Sequence, residues 1–265
     1  MKRYILALLP LSLRVALRAR LYYARGEPEV RWLAQLIDPS RASIDVGANN
    51  GVYSWWMSRL SLHCYSFEPN PVYLKDIRAS GRNITASTVA LSNVGGVANL
   101  FVPTDLRTGD DLAGLATLRN GQEKAGRTFA VDLAPLDSIA MPPIGFMKID
   151  VEGHEMAVLE GALSVVERDR PIIMIEAEER HRPNAVTSMV DWFGRIKMTG
   201  FWLKDERWYP VSKFHWQVHQ NPCDIDERRQ NSSNRYFNNF IFVPEERVTM
   251  YPFLLKAVDS LAEIG

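Results

Sequence analysis

Two short segments of this chain carry residue types whose spacing could do chemistry. The first is DVGANNG, Asp45 to Gly51, which follows an apolar strand-like run and precedes an amphipathic helix-like run. An α/β fold builds its nucleotide-binding turn at such a junction: glycines let the backbone approach a ligand closely, and the N–H groups opening the helix near Asn50 point into the same crevice. The turn does not complete G-x-G-x-x-G, because Asn49 stands at the middle glycine and neither Tyr53 nor Ser54 is glycine. A pyrophosphate wrap is therefore disfavoured against S-adenosylmethionine, whose amine and carboxylate need a tight turn and an acid. The same glycines, Gly47 and Gly51, would also serve a plain tight connection. Glu68 closes the next strand-like run 23 positions after Asp45, near the offset of roughly 20 residues at which such folds place an acid on ribose hydroxyls. Its alternative task is to cap the helix that begins at Pro69 or Pro71.

The second segment is KIDVEGHE, Lys148 to Glu155, again at a strand end. Lys148, Asp150, Glu152 and His154 alternate, so they share one face while the chain stays extended. Charges on a strand that otherwise reads Phe-Met-Ile need partners, since an unpaired charge near a core costs several kcal/mol. Either they pair with one another or they protrude into the cleft over a cofactor. His154 falls at the start of the next helix, whose positive end keeps the imidazole neutral and so able to act as a general base. Asp150 could equally be that base, or orient His154. A divalent ion held by Asp150, Glu152 and His154 with Glu176 or Glu178 is the weaker reading, because no ligand spacing as diagnostic as H-E-x-x-H occurs; no metal is expected.

These residues need an alternating scaffold, and the chain supplies one. Strand signals at Ser43 to Val46, Cys64 to Phe67, Ile84 to Leu91, Phe146 to Ile149 and Ile172 to Ile175 alternate with helix signals at Val52 to Leu60, Val72 to Ala79 and Glu155 to Glu167. That order predicts an α/β fold with a doubly wound, mostly parallel sheet. Val97 to Pro103 and Thr128 to Leu133 form an extra antiparallel excursion, and the loop Thr104 to Arg127 between them is long enough to be a lid or substrate loop. Asn239 to Val243 is the final, antiparallel strand, a helix follows from Tyr251, and the polar stretch His215 to Tyr236 is expected to cap the cleft rather than join the core. Domains are expected at 1–40 (a basic, amphipathic helical segment), 41–250 (the main domain) and 251–265 (a terminal helix).

The totals exclude several partners. Lys plus Arg equals Asp plus Glu at 31 each, so no global field draws the chain to nucleic acid. With 265 residues, 46% hydrophobic, it can bury one large core. Cys64 and Cys223 do not make a disulfide framework, and a reducing, cytoplasmic setting fits. The apolar run Ile5 to Leu13 is too short to span a bilayer and is interrupted by arginines, so it reads either as a basic segment resting on the inner membrane face or as a helix packed on the domain. The sequons at Asn83 and Asn231 are expected to be chance, and Trp202, Trp208 and Trp216 to be packing residues rather than sugar platforms. No heptad or apolar stripe indicates an oligomeric state.

DVGANNGVYS, FEPNP, VALSN, LDSI and KIDVEGHEMAVLEGA, in this order, resemble the FkbM family of S-adenosylmethionine-dependent methyltransferases over about Ser43 to Glu178. GEPEV, Gly26 to Val30, and FIFVP near the end are compatible with it. The resemblance implies a Rossmann-like class I methyltransferase sheet, with Asp45, Gly47, Asn49 and Gly51 around the methionine part of the cofactor, Glu68 at the ribose, and Ala90 and Leu91 beside the adenine. It also implies O-methylation of a sugar in a glycan, glycolipid or natural product, with Lys148, Asp150, Glu152 and His154 as the catalytic set. The alternatives are an NAD-dependent oxidoreductase acting on a nucleotide sugar, which the missing glycines disfavour, and a non-catalytic, membrane-associated binding protein of the same fold, which the full KIDVEGHE set disfavours.

Overall fold

Apolar strands buried on both faces form the centre of the molecule. A computed structural model describes residues 9–103, 118, 126–224 and 235–262. In chain order the strands are β1 (Ala42–Val46), β2 (Cys64–Phe67), β3 (Ile84–Ser87), β4 (Ala90–Leu91), β5 (Gly96–Pro103), β6 (Gly126–Ala134), β7 (Ile144–Ile149), β8 (Ile172–Glu176), β9 (Met198–Lys204), β10 (Arg207–Pro210) and β11 (Asn239–Pro244). Eight of them make one sheet in the order β10-β9-β11-β8-β7-β1-β2-β3. β3, β2, β1, β7 and β8 are parallel, while β11 runs antiparallel to both β8 and β9. The sheet is therefore mostly parallel with antiparallel final strands, the α/β arrangement expected.

Alternation along β8 shows how the two faces are filled: Ile173 and Ile175 join one core, Ile172 and Met174 the other. The helices are α1 (Leu11–Arg25), α2 (Leu33–Leu36), α3 (Val52–Leu60), α4 (Leu74–Ala79), α5 (Glu155–Glu160), α6 (Leu163–Asp169), α7 (Ala185–Arg195), α8 (Trp216–His219) and α9 (Pro252–Ala262). α5, α6 and α7 cover the first face through Leu159, Val166 and Phe193. α2, α3 and α9 cover the second through Leu33, Met57 and Leu254.

Two expected elements are broken, and the breaks meet. The run Ile84 to Leu91 is two strands: the Ser87 hydroxyl accepts a hydrogen bond from the Val89 amide at 3.2 Å, the chain leaves the large sheet, and Ala90 and Leu91 pair with β6 instead. β5 and β6 form the expected antiparallel excursion, giving a three-stranded sheet ordered β4-β6-β5. The expected lid between them lies outside the described residues, apart from Leu118 and the β6 residues Gly126 and Arg127. The run Glu155 to Glu167 is likewise two helices, because the chain after β4 crosses Gly161: a Cβ there would stand 2.0 Å from the Ser92 carbonyl oxygen. The Gly161 carbonyl accepts from the Asp137 amide at 2.9 Å, and the Asp137 carboxylate accepts from the Ser164 and Val165 amides at 2.9 and 3.0 Å, capping α6.

The terminal segments pack on this scaffold. α1 buries Val15 and Ala19 against Trp55, and Arg18 donates to the Asp76 carboxylate at 2.8 Å and the Asn50 carbonyl at 3.1 Å. No helix among the described residues is long and apolar enough to cross a membrane; residues 1–8 lie outside the described set. The described part of 215–236 does not stay off the core. Phe214, His219 and Phe237 surround the Trp202 ring, and buried Gln220 donates to the carbonyls of Ala177 and Phe237 at 2.7 and 3.0 Å. Residues 225–234, including the Asn231 sequon, lie outside the described residues. Trp202 and Trp208 are buried and Trp216 is exposed.

Asp137→Ala removes the α6 cap and is expected to lower stability by about 1 kcal/mol. Gly161→Ala drives a methyl group into backbone and is expected to cost about 2 kcal/mol or more. Urea denaturation checks both; a Gly161→Ala protein as stable as the parent would contradict this packing.

Candidate active site

The 45–51 turn is closed by its own hydrogen bonds. The Gly47 and Ala48 amides donate to the Phe67 carbonyl at 2.9 and 3.2 Å, Asn49 to the Glu68 carboxylate at 2.8 Å, Asn50 to the Asn49 side chain at 2.6 Å, and Gly51 to the Ala48 carbonyl at 2.9 Å. These five amides are therefore engaged within the protein, and the helix begins at Val52 rather than near Asn50. Gly47 and Gly51 both sit at positive φ, +77° and +78°, but their missing side chains make room for protein: a Cβ on Gly47 would lie 1.8 Å from the Asp150 carbonyl oxygen, and one on Gly51 2.7 Å from the Ser80 hydroxyl. At both glycines the space beside Cα is taken by close chain packing. Asn49, where the middle glycine would be, holds φ +46°, a left-handed conformation that Asn tolerates.

The two acids of this region differ. Asp45 is wholly buried; one carboxylate oxygen accepts from the Ser54 hydroxyl at 2.6 Å, the other has no hydrogen-bond partner among the described residues, and burial raises the pKa. It lies beneath the turn rather than on the cleft surface. Glu68 joins the turn to the next one: its two oxygens accept from the Asn49 and Asn70 amides, each at 2.8 Å. Burial pushes it up to about 7 against the pull of those bonds. A carboxylate has about four lone-pair sites, so two remain for a ligand's hydroxyls. Ala90 and Leu91 are the residues expected beside the adenine. They are 4% and 2% exposed, in the small sheet and the main core respectively, because the chain leaves the large sheet at Ser87.

KIDVEGHE does not present four side chains on one face. β7 ends at Ile149, and Glu152 and Gly153 take φ +51° and +98°, so the extended alternation stops after Asp150. Lys148 donates to the Asp150 carboxylate at 2.8 Å, with side chains 3% and 29% exposed. Its ammonium also lies 4.4 Å from the centre of the Tyr53 ring, and the Tyr53 hydroxyl donates to Glu27 at 2.5 Å. Burial alone would lower the Lys148 pKa, but Asp150, Glu27 and Asp45 hold it above its ordinary value. Glu152 pairs with His181 at 3.2 Å, and burial followed by Asp150 pushes it up to about 8. His154 turns the other way and shares a hydrogen bond with the Ser92 hydroxyl at 2.9 Å. Burial holds its imidazole below the ordinary pKa against the pull of Glu160.

The neighbouring strand end carries Glu176 and Glu178, the acids weighed above as metal ligands, and adds partners that the spacing did not reveal. Glu178 is buried and accepts from Arg180, Tyr236 and Asn238; burial would raise it, but its bonds to Arg180, Glu176 and Tyr236 bring it down to about 2. Glu176 is held well above its usual value by burial and by Asp150. Among the described residues no group of three or more His, Cys, Asp or Glu side chains could hold a metal ion. Glu27 and Tyr53 were equally invisible as site residues. GEPEV contains Glu27, but only its contact with Tyr53 gives it a task.

A family model described as the methyltransferase FkbM domain matches residues 45–202, from the turn to β9. No curated protein matches the sequence. Among similar solved structures, a methyltransferase FkbM from Methylobacillus flagellatus KT is 15% identical with a TM-score of 0.50, the match covering 88% of this chain and 55% of that one. This chain thus spans 55% of that protein's length. A precorrin-6y C5,15-methyltransferase from Geobacter metallireducens GS-15 is 14% identical (TM-score 0.40, covering 81% of this chain and 86% of that one). SMU.1697c from Streptococcus mutans, solved in complex with SAH, is 12% identical (TM-score 0.44, covering 82% and 96%). At such identities the likeness to the Methylobacillus protein is one of fold. Since the family model spans more than half of its residues, the chain belongs to the FkbM methyltransferase family.

Proposed function

We propose that the protein transfers the methyl group of S-adenosylmethionine to a hydroxyl oxygen of a sugar, free or within a glycan or glycolipid. One observation carries this reading. In the sheet, Val46 of β1 is level with Phe67 of β2 and Ile149 of β7, so Gly47, Glu68 and Asp150 are the next residues on three adjacent parallel strands. Strands lie about 4.8 Å apart, so Glu68 and Asp150 leave the sheet roughly 10 Å apart on either side of the turn. A nucleoside held at Glu68 then reaches its reacting group towards Asp150, in the crevice beyond the strand ends where such sheets bind ligands.

The residues fit the cofactor. Glu68 retains acceptor sites for two ribose hydroxyls, and α3 has no side-chain cap, which leaves its first-turn amides for the methionine carboxylate. Amides 47–51, being engaged, leave little for a pyrophosphate, which counts against a nicotinamide dinucleotide. When bound, the cofactor supplies an electrophilic methyl for in-line displacement. Asp150, partly exposed and held by Lys148, accepts the proton of the acceptor hydroxyl. His154, two residues past Glu152, is fixed by Ser92. Glu152 pairs with His181 beyond the end of β7. A chain with 31 basic and 31 acidic residues has no field for a nucleic-acid acceptor.

Asp150→Asn is expected to lower turnover by about 100-fold or more while S-adenosylmethionine affinity is retained, and His154→Ala to lower it less. Release of S-adenosylhomocysteine over a panel of glycans, with calorimetry for the donor, checks this. Full turnover in Asp150→Asn would move the base to His154, and donor binding without turnover on any hydroxyl acceptor would sink the reading.

A pH dependence follows from Glu68. Its pKa of about 7, against 4.5 for an ordinary glutamate, means that the fold favours the protonated acid. Its contribution to stability is full below the ordinary value and declines as pH rises through about 7. Ribose hydroxyls donate to the carboxylate, so donor affinity has the opposite trend: it is expected to be about 10-fold weaker near pH 6 than near pH 8, with proton release on binding. Titrations in buffers of different ionisation heat measure both. Glu68→Gln should flatten the profile, and a flat profile in the parent protein would remove Glu68 from the ribose.

A further inference from the structure

The Tyr53 ring is buried on α3, directly below the Lys148 ammonium. A buried phenol needs a partner for its hydroxyl, and its orientation follows that partner. The partner is Glu27, which belongs to neither the turn nor β7. It is delivered by the short link between α1 and the turn Pro28–Trp32, and both ends of that link are anchored. The Gly26 amide donates to the Tyr22 carbonyl at 2.6 Å, Val30 and Leu33 are buried in the second core, and Tyr22 packs edge-to-face on Tyr53 with ring centres 6.2 Å apart.

We propose that Glu27 is a positioning residue for methyl transfer: by holding the Tyr53 hydroxyl it fixes the ring beneath Lys148, and Lys148 in turn fixes the Asp150 carboxylate towards the acceptor. The inference rests on Asp150 as the proton acceptor. Contacts run without a gap from Glu27 to Tyr53 at 2.5 Å, from Tyr53 to Lys148 at 4.4 Å, and from Lys148 to Asp150 at 2.8 Å. Glu27 touches no reacting atom. Its removal leaves the buried phenol unpartnered, loosens the ring's placement under the ammonium, and takes away one of the negative charges that hold Lys148. The amino-terminal segment is thereby a working part of the enzyme, because the geometry of the base depends on a carboxylate outside the matched span of 45–202.

The test uses the full chain with Glu27→Ala, Glu27→Gln, Tyr53→Phe and the Glu27→Ala/Tyr53→Phe double variant. Glu27→Ala is expected to lower kcat by about 10- to 100-fold, the range that a misplacement near 1 Å produces, with donor affinity unchanged by calorimetry. Glu27→Gln keeps an acceptor oxygen for the phenol and should restore most of the rate. Tyr53→Phe, which keeps the Glu27 charge, should lower kcat no more than Glu27→Ala does, and the double variant should be no slower than Glu27→Ala alone. A readout without turnover is the carbon NMR signal of the Lys148 ε-methylene, displaced by the Tyr53 ring current in the parent and in Glu27→Gln and returned to its ordinary position in Glu27→Ala. Parental turnover in Glu27→Ala, an undisplaced Lys148 signal in the parent, or losses that multiply in the double variant would overturn the proposal. If the parent protein methylates no acceptor, the sugar-methylation reading fails, while the Lys148 signal still decides whether Glu27 positions it.

Discussion

The buried ammonium of Lys148 is the constraint around which the cleft is organised. A cation that is 2% exposed at the end of a central strand is tolerated only when charge and hydrogen bonds compensate its lost hydration. Compensation comes from three separate stretches: Asp150 just beyond β7, Asp45 on β1 and Glu27 after α1. Tyr53 supplies the face of its ring. Removing any one of these leaves charge or dipole unbalanced in a place that water does not reach, so the same groups hold together both the fold at this point and the chemistry.

Around that cation the protein satisfies its polar groups internally and leaves few open. The 45–51 turn spends its amides on Phe67, Glu68, Asn49 and Ala48, and uses Gly47 to let the Asp150 carbonyl come within packing distance. The turn and the end of β7 are thus in direct contact with no intervening side chain. Glu68 and Asp150, at the ends of the strands flanking the turn, are the acids nearest to it, while Glu152 pairs with His181.

The small sheet has a positioning task as well. By leaving the large sheet at Ser87 the chain brings Ser92 onto Gly161 and its hydroxyl to His154. One crossing therefore breaks the helix after KIDVEGHE and aims the histidine. Asp137, in the LDSI segment that follows β6, stabilises that broken helix from outside by capping its second half.

Period and punctuation were enough to define much of this in the sequence. Cys64–Phe67 and Val52–Leu60 have the bounds that alternation and helical spacing indicate, and the two strand-end motifs do lie on neighbouring strands. These features are legible because strand and helix periodicity are local, and because parallel strands place their ends together. The partner of each charged side chain is not local. Lys148 to Asp150 spans two residues, but Glu27 lies 121 positions before Lys148, and His154 lies 62 after Ser92. The pairing of His154 with Ser92, the burial of Ala90 and Leu91, and the close approach of the Asp150 carbonyl to Gly47 were decided by chain crossings and packing. A sequence motif defines which groups are present at a strand end; desolvation and long-range contact decide which of them stay charged, paired or open to a substrate.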